Sequence, residues 1–490
     1  MSLQQISSRP FGLTLRLGLL VALAAACVPA GVALAAEGTV NIPREASLML
    51  AGERRGERVG DSVVPGVAAA VAQVGWTVPQ TLIQPGFNVS AAGNARGVEA
   101  FVWEASLDYP SDDRSYVRAV LRLPDGRLTK PQTVSRRDQV VADAVVGVDA
   151  RGRTTVVWTQ GARARRFGPL SHMSIMAAVG GPGGRFGAPV RLGGTEDFGG
   201  AEPRLAVAPD RAAVVVWSRG DRLQAARRPL GWCRALHSRA CFGRVQDLPG
   251  GADVAVVLGP RDTAYAAWAG RPGRSRPDRL GIQVAVAPRG ERFGSPRTVS
   301  RRGAPASEPT IAIARDGSAV LAWRRSPPAG GAEDLAGRMI EATVRDRDGH
   351  VSAPQVVSPI QARRPQVRLN RQGEAVLVWE QYTETSPDGE IAAAVRPVAG
   401  NFGPAVTISP PGVAGRHSLA VDRRGNAVAA WSAGGASVSV VAAVRQPGGS
   451  FGAPVTVAAI GGPPVTIAAG DRITAAWWSD AGTQLSDWTT

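Results

Sequence analysis

Lysine is almost missing from this 490-residue chain. Lys130 is the only one, so the formal net charge of +16 is carried by arginine. Histidine and cysteine are nearly as scarce, at four and three. His172, His237, His350 and His417 fall in separate stretches without ligand spacing, so no zinc cluster or other metal site is expected. No Gly-x-Ser-x-Gly nucleophile elbow occurs, and glycine-rich pieces such as Gly180-Gly181-Pro182-Gly183-Gly184 lack the Lys-Ser/Thr of a phosphate loop. No cofactor is therefore implied. Beyond the N-terminal leader no segment reaches the 18 apolar residues of a membrane span, so no transmembrane segment is expected. The arginines are scattered and form no long block, which disfavours nucleic acid as a partner and fits a solvated surface.

Glycine and proline are plentiful, at 59 and 37, so much of the chain must turn. An apolar content of 44% is ample for a buried core. Residues 1–35 read as a secretory signal peptide: Arg9 and Arg16 open it, an apolar stretch from Leu17 to Val28 follows, and Ala33-Leu34-Ala35 supplies a cleavage site. The mature chain is expected outside the cytoplasm. Lipid anchoring at Cys27 is disfavoured because the leucine expected three positions earlier is missing. Residues 36–64 read as a polar tail. In an exported chain Cys233 and Cys241, eight apart, suggest a disulfide at a hairpin tip. The rival metal site would have only His237 nearby.

A repeat organises the rest. Short apolar runs end at Trp103, Trp158, Trp217, Trp268, Trp323, Trp379, Trp431 and Trp477. Six residues earlier stands Gly97, Gly152, Gly317, Gly373 or Gly425, replaced by Arg211, Asp262 and Asp471 in the other copies, as a tight turn with positive φ would want. Another apolar run precedes each turn, for example Ile311-Ala312-Ile313 or Val367-Arg368-Leu369, making a hairpin. A second hairpin follows, and its last arm opens on an aromatic-Gly-x-Pro string such as Phe186-Gly187-Ala188-Pro189 or Phe451-Gly452-Ala453-Pro454. Proline tolerates only edges and strand starts, so this arm should be outermost.

Four short strands repeated about every 50 residues indicate an all-β chain, a β-propeller spanning 65–490. Eight blades are expected, with seven as the alternative, and the tryptophans should wedge between blades. The eighth copy lacks a second hairpin, and a spare one stands at the start, Val67–Val74 with Trp76–Leu82. The ring should therefore close with N- and C-terminal strands together, two from each end.

The Asp-x-x-Gly turn, the run ending in Trp and the Phe-Gly-x-Pro string together resemble secreted bacterial β-propeller repeat proteins. More distantly, the pattern is similar to sialidase-type propellers with Asp-box turns. That second resemblance implies arginines gripping a substrate carboxylate and a tyrosine nucleophile with a glutamate partner. Tyr382, near Glu380 and Glu384, is the candidate pair for that role, but the residues themselves place Tyr382 and Glu380 with the binding residues of the loop face and assign no catalytic group.

The loops after each tryptophan differ from copy to copy, as expected where a rigid scaffold displays variable groups. Arg163, Arg165 and Arg166 in the second copy and Arg271, Arg274 and Arg276 in the fourth form a basic sector. Glu104, Asp108, Asp112 and Asp113 in the first copy and Glu380, Glu384, Asp388 and Glu390 in the sixth form an acidic flank. The leading reading is a monomeric, non-catalytic binding module or scaffold whose loop face takes a glycan, a cell-wall polymer or a protein. A divergent sialidase-like glycoside hydrolase is the alternative.

Overall fold

The computed structural model describes residues 39–41, 75–83, 87–106, 114–137, 139–163, 170–195, 201–228, 241–270, 280–327, 337–358, 361–412, 414–434, 438–479 and 482–488. Eight antiparallel sheets stand around an axis as an eight-bladed β-propeller. Blade 1 illustrates the plan. Its inner strand Phe87–Gly93 is followed outward by Glu99–Ser106, Ser115–Arg122 and the two-residue outer strand Gln132–Thr133. No helix among the described residues is long and apolar enough to cross a membrane.

The turn joining the first two strands follows from the sequence. Gly97, Gly152, Gly317, Gly373 and Gly425 all have positive φ, between 77° and 94°. At four of them an Asn or Asp three residues before the glycine closes the turn with its side chain. Asn370 Oδ1, for example, accepts from the backbone N–H of Gln372 and Glu374, each at 3.0 Å. At Gly317, where Ala314 stands, Asp316 Oδ1 accepts the Ser318 N–H instead. The outer strand is outermost as its proline requires. Its aromatic-Gly opening is held by a glutamine on the outer strand of the preceding blade. Gln355 donates to Phe402 O and accepts from Phe402 N–H, both at 2.8 Å, and Gln246 clasps Phe293 in the same way.

The core lies between the blades. All eight repeat tryptophans are buried, and each packs with the facing sheet of the blade before it: Trp379 with Ala322 and Ile340, Trp268 with Val216 and Leu223, Trp477 with Val440 and Ala442. The fit is close enough that a Cβ at Gly251 or Gly461 would run into Trp268 or Trp477.

Ring closure differs from the expected two-plus-two. The eighth blade takes three strands from the C-terminus, Val465–Ala469, Arg472–Ser479 and Gly482–Trp488. It takes one from the start of the chain, Gln80–Ile83. The polar stretch Gly482–Trp488 buries Leu485 and most of Trp488 and so qualifies as a third strand. Val67–Val74 lies outside the described residues. The seam between blades 8 and 1 is charged. Arg122 donates to both oxygens of Asp487, at 2.7 and 2.6 Å, and Glu99 receives Arg472 Nε at 3.1 Å and Thr474 Oγ1 at 2.7 Å. A short strand, Thr39–Asn41, from the segment placed before the ring, pairs with the axial edge of blade 1, Val40 opposite Ala91.

Candidate functional site

In each blade the start of the inner strand pairs with the end of the second, as Phe87 does with Glu104. The blade-to-blade crossovers and the loops after each tryptophan therefore share one end of the ring. Of the residues read there as a basic sector, Arg163 ends a described strand but its side chain is not described. Arg165, Arg166, Arg271, Arg274 and Arg276 lie outside the described residues, as do Asp108, Asp112 and Asp113 of the acidic flank and Cys233 of the cysteine pair. Glu384 and Asp388 are exposed, whereas Glu104, Glu380 and Glu390 are buried.

The sequence reading missed a polar ring at this end. Asn88, Asp143, Glu202, Asp253, Glu308 and Arg364 each stand nine positions before the turn residue of their copy, and all six have positive φ. In blades 1, 2, 4, 5 and 6 a bulge falls here, as the pairing jumps between Ala252 and Ala255 or Arg363 and Gln366. The bulges turn acids toward the neighbouring blade. Asp253 Oδ2 accepts the backbone N–H of Glu308 at 2.9 Å, and Glu308 Oε2 accepts that of Arg364 at 2.6 Å. In blade 1 Glu104 reaches the next blade, accepting the backbone N–H of Ala144 at 3.5 Å and Asn88 Nδ2 of its own blade at 2.9 Å. A polar residue recurring at that spacing from the turn was the available signal.

The predicted Tyr382–Glu380 pair sits on this ring beside arginines. Glu380 is fully buried. It accepts from Arg363 Nε at 2.7 Å, from Arg364 Nη1 at 3.0 Å, and from the Tyr382 hydroxyl at 3.1 Å, with His417 Nδ1 at 3.8 Å. The Arg363 guanidinium lies over the Tyr382 ring, 4.6 Å from its centre. Burial alone would push the Glu380 carboxyl up. Arg364, His417 and Arg363 outweigh it and hold the group well below the usual carboxylate range. Burial and the neighbouring Glu380 charge push the Tyr382 phenol up.

Glu202 behaves differently. Its side chain is 23% exposed and its partner is Arg204, at 2.8 Å. Burial, reinforced by the charges of Asp143 and Asp253 against the pull of Arg204, raises its carboxyl to about 7. No group of three or more metal-ligating side chains occurs among the described residues.

No protein-family model matches the chain, and no curated protein does either. Similar solved structures include a lectin from Burkholderia pseudomallei, at 12% identity, a TM-score of 0.46, and coverage of 75% of this chain and 98% of the lectin. Another is an ulvan polysaccharide lyase, at 13% identity and TM-score 0.46, covering 71% and 93%. A third is an α-L-arabinofuranosidase of Fusarium graminearum, at 11% identity and TM-score 0.37, covering 58% and 91%. Identities this low carry no information about ligand.

Proposed function

We propose that the protein is an exported, non-catalytic binding propeller whose ligand face is the crossover end of the ring. The state of Tyr382 and Glu380 is the observation behind the non-catalytic part. A tyrosine nucleophile needs a base to take its proton and a phenol that ionises readily. Here the carboxylate is saturated by donors and made a poorer base, while the phenol is made a weaker acid. The pair binds the ring together and cannot attack. What the rim offers a ligand is hydrogen-bonding capacity on a rigid frame: the partly exposed Glu202 carboxyl, the Arg363 guanidinium with its side chain 34% exposed, and the exposed acids Glu384 and Asp388. Carboxylates and guanidinium groups held so suit a hydroxyl-rich glycan or cell-wall polymer, with the loop arginines Arg163, Arg165, Arg166, Arg271, Arg274 and Arg276 extending the face. A Cys233–Cys241 disulfide completes this exported form.

Glu202 favours a second reading. A carboxyl held at about 7 is poised as a general acid, so glycoside hydrolysis would run through Glu202 rather than Tyr382. A glycan array run beside a panel of fluorogenic glycosides separates the two readings. Binding without turnover, with Tyr382→Phe leaving the bound set unchanged, is expected. Turnover lost in Glu202→Gln would replace the first reading with the second.

A further inference from the structure

The other end of the axis carries a feature the crossover face does not explain. A cavity of about 330 Å³ opens among the inner-strand turns, with apolar walls that include Leu258, Ile313, Leu419 and Ile467. Arg368, on the inner strand of blade 6, lines it and is only 8% exposed. Its Nη1 donates to Val367 O at 2.9 Å, and its Nη2 is buried without an acceptor. The acid in the lining, Asp422, is taken up by Asn426, whose backbone N–H and Nδ2 it accepts at 2.9 and 2.7 Å.

Blade symmetry shows how unusual this is. Arg368 pairs across its hairpin with Val376, three residues before the repeat tryptophan. The residues paired with that same position in the other blades are Ala92, Gly147, Ala206, Val257, Ala312, Ala420 and Ile467. Seven copies place a small or apolar side chain there and one places a guanidinium. Buried charges are ordinarily paired, because leaving water without a counter-charge is costly. Nothing in the described structure compensates this one.

We propose that the axial cavity at the turn end binds a small organic carboxylate, held by the Arg368 fork with its apolar body against the surrounding aliphatic side chains. A planar carboxylate matches two N–H donors of a guanidinium. The cavity lies at the small end of the usual range for ligand pockets, roughly 300–1,000 Å³, which fits a single ring. Exposed Arg315 and Arg371 at its rim favour entry of an anion. Burial pulls the Arg368 guanidinium down to about 9, leaving it charged at neutral pH and short of a counter-ion.

The test is calorimetric titration and thermal shift on the full chain with benzoate, glucuronate and benzyl alcohol. Benzoate should bind and raise the melting temperature, glucuronate should bind more weakly, and benzyl alcohol should not bind. Arg368→Met, which keeps an unbranched side chain but removes the guanidinium, should lower benzoate affinity at least tenfold. Should that variant fail to fold, Arg368→Lys should show the same direction of loss, because a point charge cannot form the fork. Absence of benzoate binding, or binding unchanged in both variants, overturns the proposal. Glucuronate binding as tightly as benzoate overturns the apolar body. The site is at the opposite end of the ring from the proposed glycan face, so either can fail alone.

Discussion

Blade 6 holds two buried charges at opposite ends of one hairpin, and they are treated in opposite ways. Glu380, at the crossover end, has two arginines and a tyrosine donating to it and a histidine close by. Arg368, toward the turn end, has one carbonyl. A saturated charge in a low-dielectric interior fixes its neighbours and offers nothing to a ligand. An unsaturated one is destabilising until something completes it. On the proposed reading, the Tyr382–Glu380 pair holds the ring together, and the arginine hidden in an apolar run is the group left for a ligand to complete.

Removing Glu380 should have the largest effect. Glu380→Ala leaves Arg364, and the partly exposed Arg363 beside it, without their buried carboxylate, and the expected loss of stability is about 3–5 kcal/mol. Urea unfolding followed by tryptophan fluorescence would measure it, since the eight wedges report on the ring. A loss under about 1 kcal/mol would mean the cluster is not the clasp described.

Arg368→Met should move stability the other way. Replacing an uncompensated buried cation by a shorter unbranched hydrophobe is expected to stabilise the empty protein by about 1–4 kcal/mol. A carboxylate ligand should narrow that gap by stabilising only the wild type. If the variant unfolds at lower denaturant than the wild type, Arg368 has a partner and the contrast with Glu380 collapses.

The architecture was legible because its signals repeat. The turn glycines, the wedge tryptophans and the Phe-Gly-x-Pro edges each recur at fixed spacing, and turn chemistry and proline geometry give each a single reading. The closing blade was half legible: Gly482–Trp488 has too little apolar pattern to read as a strand until its neighbours bury Leu485 and Trp488. The site was mostly illegible. Acids at the bulges come from different blades and meet only when the ring closes, so no local window contains Asp253 with Glu308 or Glu308 with Arg364. Charge in the loops after Trp103 and Trp379 was read as display, yet Glu104 and Glu380 turn inward to buried partners. Arg368 could have been found by aligning the copies on their turns, where it stands against alanine, glycine, valine and threonine.

Glu202, in blade 3, tests whether the crossover rim is as closed there as it is around Glu380 in blade 6. Its carboxyl lies at about 7 in the folded protein against an ordinary value of 4.5. A raised carboxyl favours the folded state when protonated. That contribution is fully present below about pH 4.5 and is lost as the pH rises through 7. The wild type should therefore lose stability between pH 5 and pH 8 relative to Glu202→Gln, which cannot ionise. The difference should reach about 1–3 kcal/mol, the upper figure being reduced by the partial exposure of the group. Parallel stability–pH curves for the two proteins would place Glu202 among the saturated groups of the rim. Diverging curves would leave it as a rim carboxyl with a proton to exchange near neutrality.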